Sequence, residues 1–236
     1  MSAQTSPAPI NRRNPLPASS RRQQVVDLLR DEITTGRRAS GEQLKQDQIA
    51  RELGVSPGPV REALRQLESE GLAELIPNRG VFVADISAAE LIGLLLPVRL
   101  AIESYAVPAA IPRLRAEHLD QLQEIVDQMG ASARTNDLAR INELDVHFHE
   151  ITVEAAGSMH ALQLWRSVQP RIRAQFYRLA PRHSTAEEIQ EEHQQLLDVI
   201  RTGGDDALRT AIREHIVDSA QDLLNRAPEA GAEQAR

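Results

Sequence analysis

Residues 44–72 read LKQDQIARELGVSPGPVREALRQLESEGL, and this stretch decides the architecture of the first third of the chain. Ile49 and Leu53 stand four apart, one helical turn, and Gly54 stops that helix because glycine enters the left-handed conformation without strain. Ser56 takes the N-cap position of a second helix and Pro57 its first position, where a missing N–H costs nothing. Pro59 still lies within the first turn. Val60, Ala63, Leu64 and Leu67 then make one apolar stripe, and Gly71 closes the helix at about Glu70. Two helices around the tight turn Gly54-Val55-Ser56 predict a helix-turn-helix.

Working outward, Val25, Leu29 and Ile33 share a face of an earlier helix that runs from Arg21 to Gly36. On the other side, Leu72–Ile76 and Val81–Val83 flank the turn Pro77-Asn78-Arg79-Gly80, the pattern of a β-hairpin. Helix, short helix, turn, helix and hairpin predict a winged helix-turn-helix over residues 21–84, whose third helix docks in the major groove of DNA. Arg61, Arg65 and Gln66 point away from its apolar stripe, with Pro57 and Gly58 at its start. Arginine matches guanine and glutamine matches adenine in bidentate fashion. Ser56 and the free N–H groups of the helix start suit a phosphate. Arg79 suits a minor groove, and Gly80 permits close backbone approach. The plainer alternative has Arg61 and Arg65 merely pairing with Glu62 or Glu68. Residues 1–20, without periodicity, are expected to be a disordered arm.

Beyond Asp85 the pattern is helical throughout. One helix starts near Ser87 and is expected to break or kink at Pro97, and the next runs to about Leu114. Others cover roughly 116–134, 137–156, 159–179, 185–202 and 205–226, so residues 85–226 predict an all-α bundle of six or seven helices and 227–236 a disordered tail. The fold class is therefore mainly α with a small hairpin. Aromatic residues are only 3% of the 236, so Leu, Ile, Val and Ala must fill the core. Without cysteine, disulfides and thiolate metal sites are excluded. The longest apolar run, Leu91 to Val98, is too short to span a bilayer and no secretory signal is visible, so a cytoplasmic chain without a membrane partner is expected. The first 80 residues hold 12 Lys/Arg against 10 Asp/Glu and the remainder 15 against 24, for a net charge of −7. That argues against nonspecific coating of nucleic acid but leaves room for a local basic surface.

Within the bundle, four ionisable residues occupy positions where leucine would be usual. His193 continues the stripe Ile189, Leu196, Ile200, and His215 the stripe Leu208, Ile212, Leu223. Asp145 and His149, one turn apart, flank Ile141, Leu144, Phe148 and Ile151. Buried ionisable groups must be paired or bind a metal. One carboxylate and three imidazoles suit Zn²⁺ or Ni²⁺, with Mn²⁺ also allowed. A hydrogen-bonded His/Asp network without metal is the alternative. His147 is expected to face solvent, and a surface role is expected for His118, His160 and His183. His149-Glu150 fails the H-E-x-x-H pattern because position 153 is Val. Arg99 lies beside an apolar stripe, either as a fork for a carboxylate or as a partner of Glu103. Tyr105, Arg171 and Arg173 are further candidates for a cavity wall.

The stretch 44–72 resembles the DNA-binding signature of GntR-family bacterial transcription regulators, most diagnostically at Pro59-Val60-Arg61-Glu62-Ala63-Leu64. Asn78-Arg79-Gly80-Val81-Phe82-Val83 resembles that family's wing. Many members carry Arg directly after the Ser, where this chain has Pro57; if that Arg reads a base in relatives, the contact is missing here. Residues from Asp85 to about Leu224 resemble the effector domain of the FadR-like branch. The resemblance is carried by Arg99-Leu100-Ala101-Ile102-Glu103, Asp145-Val146-His147-Phe148-His149, Glu192-His193 and Glu214-His215. It implies a divalent metal on Asp145, His149, His193 and His215, a homodimer and a roughly palindromic operator. The expected function is a regulator, more often a repressor, whose operator affinity is set by a small organic acid bound beside the metal, near Arg99, Glu103, Tyr105 and Arg171. A regulator answering to the metal ion itself and a metal-dependent hydrolase fused to a DNA-binding domain are the competing classes. No acid/base residue or nucleophile beside the four ligands supports the hydrolase.

Overall fold

The computed structural model describes residues 18–202 and 204–226. They divide into two compact units, one ending at Asp85 and one starting at Ile86.

In the first unit α1 (Ala18–Thr34), α2 (Gln46–Leu53) and α3 (Pro57–Ser69) precede an antiparallel hairpin of β1 (Ala73–Ile76) and β2 (Gly80–Val83). Val25, Leu29, Ile49, Val60, Leu64 and Leu67 are all buried, so the three stripes read from the sequence make one core. Gly54, at φ 65°, turns the chain between α2 and α3. A bidentate ion pair locks α1 to α3, with Arg30 Nε 2.9 Å and Nη2 2.7 Å from the Glu70 carboxylate.

Three details differ from the sequence reading. Helix α1 begins at Ala18, inside the segment expected to be a disordered arm. The rest of that arm and the tail at 227–236 lie outside the described residues. Ser56 has the extended backbone of an N-cap, yet its side chain makes no capping bond. A capping hydroxyl accepts from the second or third N–H of the helix, and the third residue is Pro59, which has none. Finally, the wing has a third rib. Residues 41–44 run beside β2 through Gly41 N–H to Val83 O (3.0 Å), Val83 N–H to Glu42 O (2.8 Å) and Leu44 N–H to Val81 O (2.8 Å).

The second unit is helical throughout its described residues. It comprises α4 (Ala88–Glu90), a π-helical turn (Leu91–Leu95), α5 (Leu96–Ala110), α6 (Ala116–Ala133), α7 (Leu138–Ala155), α8 (Met159–Leu179), α9 (Glu187–Thr202), α10 (Asp205–Arg213), a second π-helical turn (Glu214–Asp218) and α11 (Ser219–Asn225). Three of these helices have side-chain caps: Ser87 and Glu90 form a capping box, Asp137 accepts from Arg140 N–H, and Ser158 accepts from Ala161 N–H. Pro97 does not break its helix, because the π turn that precedes it lets the chain pass the missing N–H without a gap. The path Ala88–Arg113 is therefore longer than the apolar run suggested, and by length and composition alone it would reach across a bilayer. In this fold it is a core helix, since Leu91, Leu95, Leu96 and Val107 pack with Leu122, Phe148 and Leu197 in the main hydrophobic cluster.

Candidate metal centre and DNA-docking surface

The amphipathic helices α7 and α9, together with the second π turn, bring four polar side chains to one point. Asp145, His149, His193 and His215 each offer a ligand atom, and all four atoms lie within 4.8 Å of one another. His149 and His193 are buried to 1% exposure. Nε2 of His149 stands 3.1 Å from Nε2 of His215 and 3.7 Å from Oδ1 of Asp145. Nε2 of His193 stands 3.1 Å from that same Oδ1. Ligands about 2.1 Å from an ion lie about 3.4 Å apart in a tetrahedron, or about 3.0 Å and 4.2 Å in an octahedron. The separations of 3.1 to 3.7 Å fall within that range, so the cluster could hold a metal ion.

The outer ring nitrogens point to the same conclusion. Nδ1 of His149 lies 2.7 Å from Oε2 of Glu103, and Nδ1 of His193 lies 2.7 Å from the Ile189 carbonyl. Both partners only accept, so both Nδ1 atoms carry the proton. With Nδ1 so engaged, Nε2 of His193 faces the Asp145 carboxylate and Nε2 of His149 faces Nε2 of His215. Atoms of this kind at such separations share a proton or a cation. Burial holds His149 below the ordinary imidazole range, and burial together with the neighbouring His193 and His149 holds His215 well below it. Burial alone would raise the Asp145 carboxyl, but the His193 hydrogen bond and the charges of His149 and Arg99 outweigh it and keep the group ionised. The cluster thus offers imidazole nitrogens and an ionised carboxylate, donor types that bind divalent metals.

Beside this cluster is a cavity of about 80 Å³. Arg99 lines it, and the two roles left open for this residue turn out to be compatible. Its Nε donates to Oε1 of Glu103 at 2.7 Å, while its Nη2 is buried without a hydrogen-bond partner. The guanidinium also sits 5.6 Å from the Trp165 ring centroid. Glu103 does not line the cavity as expected; at 1% exposure it bridges Arg99 and His149, orienting the imidazole from behind. Tyr105 is 59% exposed and away from the cavity, because it falls on the outer face of α5. Arg171 and Arg173 are half-buried on α8, and neither lines the cavity; Ile172 and Gln175 do so instead. His183 was expected at the surface, yet its side chain is 7% exposed and lines the cavity. It lies between helices, after the 3₁₀ turn Ala180–Arg182, where helical periodicity gives no signal. His147 and His160 are exposed, as expected, and His118 is half-buried and accepts from Arg115 N–H.

On the first unit, Ser56, Pro57, Arg61 and Arg65 are exposed at the start and along the outer face of α3, with Gly58 half-buried. Glu62 stands between the two arginines, 3.1 Å from Arg65 and 3.8 Å from Arg61. Gln66, half-buried, donates to Glu70 at 3.1 Å, the carboxylate that also accepts from Arg30. At the wing tip Arg79 is exposed and lies over Phe82, and Gly80 adopts φ 104°. A side chain at Gly80 would meet Gln43 Nε2 at 3.2 Å, the amide that donates to Arg79 O at 2.7 Å. Gln43 thus holds the tip in shape, a role invisible in the hairpin pattern.

Residues 21–83 match the family of bacterial regulatory proteins known as the gntR family, and residues 94–218 match the FCD domain. The chain belongs to the GntR family of transcription regulators, in its FCD-containing, FadR-like branch. Among its relatives, the gluconate operon transcriptional repressor of Bacillus licheniformis is 28% identical over 203 residues, spanning 82% of this chain and 81% of that protein. The HTH-type transcriptional repressor RspR of Escherichia coli (strain K12) is 24% identical over 201 residues, spanning 85% and 88%. E. coli McbR/YncC shares the fold, with a TM-score of 0.73 at 21% identity over 86% of this chain and 97% of that one. This GntR regulator is accordingly a DNA-binding protein, and the relatives' names give transcriptional regulators in place of enzymes.

Proposed function

We propose that this GntR regulator is a repressor whose operator affinity is set by a small carboxylate bound beside a divalent metal in the helical unit. Asp145, His149, His193 and His215 would hold the ion, Zn²⁺ or Ni²⁺ by donor type, with Mn²⁺ also admissible. When bound, the ion would supply a fixed positive charge at one end of the cavity. Arg99 supplies a second, with Nη2 left over after Nε has paired with Glu103. Glu103 holds the His149 ring through its 2.7 Å contact with Nδ1. The single observation that carries the reading is that four ligand atoms converge within 4.8 Å beside a cavity lined by a guanidinium with an unused N–H face.

On the DNA side, Arg61 and Arg65 would reach base edges, Ser56, Pro57 and Gly58 would approach the backbone, and Arg79 with Gly80 would enter a minor groove. The protein would act in the cytoplasm as a homodimer on a roughly palindromic operator. Acid can alter operator affinity only by binding the DNA-bound and DNA-free states with different strength. Relatives named as transcriptional repressors support the repressor reading. The deciding experiment is elemental analysis of wild-type protein and of a His193→Ala/His215→Ala variant, paired with operator titrations with and without short carboxylic acids. The double variant is expected to lose its metal; unchanged metal per chain would refute the site.

A further inference from the structure

We propose that Arg38 is a positioning residue for DNA binding: its guanidinium ties the third rib of the wing to α1 and α2, and through that rib fixes where Arg79 stands. This rests on the wing reading above. Each nitrogen of the guanidinium meets a different carboxylate. Nε donates to Oε2 of Glu32 on α1 at 2.6 Å, Nη1 to Oε1 of Glu42 on the rib at 3.1 Å, and Nη2 to Oε2 of Glu52 on α2 at 3.2 Å. The side chain is only 14% exposed. With its nitrogens engaged by carboxylates, Arg38 acts through its neighbours and not by touching DNA.

The path from there to the wing tip is short. The Glu42 carbonyl accepts from Val83 N–H at 2.8 Å, which fastens the rib to β2. Side chains alternate along extended backbone, so Glu42 reaches back to Arg38 while Gln43 reaches forward and donates to Arg79 O at 2.7 Å. Buried Leu44, Leu72, Ala73 and Val83 hold the base of the wing. Farther out that apolar hold gives way, and Leu75 and Arg79 are exposed. A two-stranded hairpin by itself is marginal in water, so the rib sets where the tip points, and Arg38 sets the rib.

Charge makes the tie testable by sign. Three carboxylates surround one guanidinium; without it they repel, and Glu42 moves away from Glu32 and Glu52 with its rib. Removing Glu42 instead takes a negative charge from the DNA-binding unit. Long-range charge alone then predicts tighter DNA binding, whereas a lost tie predicts weaker binding.

Fluorescence anisotropy on the full-length protein, with an operator duplex selected by wild type from a random-sequence pool, tells the two apart. Glu42→Ala is expected to bind that duplex about threefold or more weaker than wild type despite its less negative charge, and Arg38→Gln about tenfold weaker. In an Arg79→Ala background each substitution should cost about twofold or less, because the contact that the tie positions is already gone. Fully additive losses, or Glu42→Ala binding as tightly as wild type or tighter, overturn the proposal. Should Arg38→Gln fail to fold, Glu42→Ala still decides, since that side chain is 38% exposed and outside the core. If Arg79→Ala itself binds like wild type, the wing reading falls and this inference with it. If Arg79→Ala weakens binding while Glu42→Ala does not, this inference alone falls.

Discussion

Glu103 Oε2 accepts from His149 Nδ1 at 2.7 Å in the bundle interior, so a residue outside the ligand set fixes which nitrogen of His149 faces the centre. The other oxygen of the same carboxylate holds Arg99. Replacing Glu103 with Gln leaves one carbonyl oxygen for two donors and removes the counter-charge of a buried guanidinium. Metal affinity is expected to fall about 10–100-fold although all four ligands remain. The fold should also weaken, since breaking a buried ion pair costs about 3–5 kcal/mol. Chelator competition and urea unfolding measure the two effects; unaltered metal affinity would detach Glu103 from the centre.

Metal-free protein should lose stability on mild acidification. His149 and His215 are held below the ordinary imidazole value of 6.5, chiefly by burial. The unfolded chain therefore takes up protons at these positions before the folded one, and unfolding free energy falls as pH drops below about 6.5. Asp145 and Glu103, held below their ordinary carboxyl values, push in the same direction, but their share disappears only at lower pH. Urea midpoints of chelator-treated protein should decline between about pH 7 and pH 5. A flat profile would show that these groups are not buried neutral imidazoles.

Much of this was legible in the sequence, and the exceptions have physical causes. Helical period exposed His193 and His215, because an ionisable residue on a stripe of Leu and Ile stands out. It also exposed Asp145 and His149 as one turn of one face. Tyr105 was misplaced because α5 is apolar nearly all round, so its pattern does not say which side faces inward. The π turns, at Leu91–Leu95 and around His215, shift the helical phase by a fraction of a turn, which a run of apolar residues cannot register. His183, in a connection with no period of its own, could be found only once the chain was folded.

Arg99 offers a direct test of the carboxylate reading. Arg99→Lys keeps a positive charge but loses the planar fork, and its shorter reach cannot serve both Glu103 and a ligand. Binding of the short carboxylic acids is expected to weaken about tenfold or more, with metal content unchanged. Equal affinity in wild type and variant by calorimetry would refute the fork.

Arg61 is the side chain on which specific DNA recognition is expected to turn. It is exposed on α3, and its contact with Glu62 is long, at 3.8 Å, whereas Arg65 holds the same carboxylate at 3.1 Å. An exposed pair of that length contributes little, so Arg61 can leave it for a guanine edge at small cost. Arg61→Ala should lower affinity for the operator about 10–100-fold and flatten discrimination between operator and unrelated duplex. Its melting temperature and metal content should match wild type, because the side chain touches neither core. Arg79→Ala, at the wing tip, is expected to differ, because a minor-groove arginine meets a degenerate pattern and mainly the negative potential: weaker binding to all duplexes and a shallower salt dependence, with most of the discrimination preserved. Fluorescence anisotropy with both duplexes at several salt concentrations separates the two patterns, and undiminished discrimination in Arg61→Ala would remove that residue from base readout.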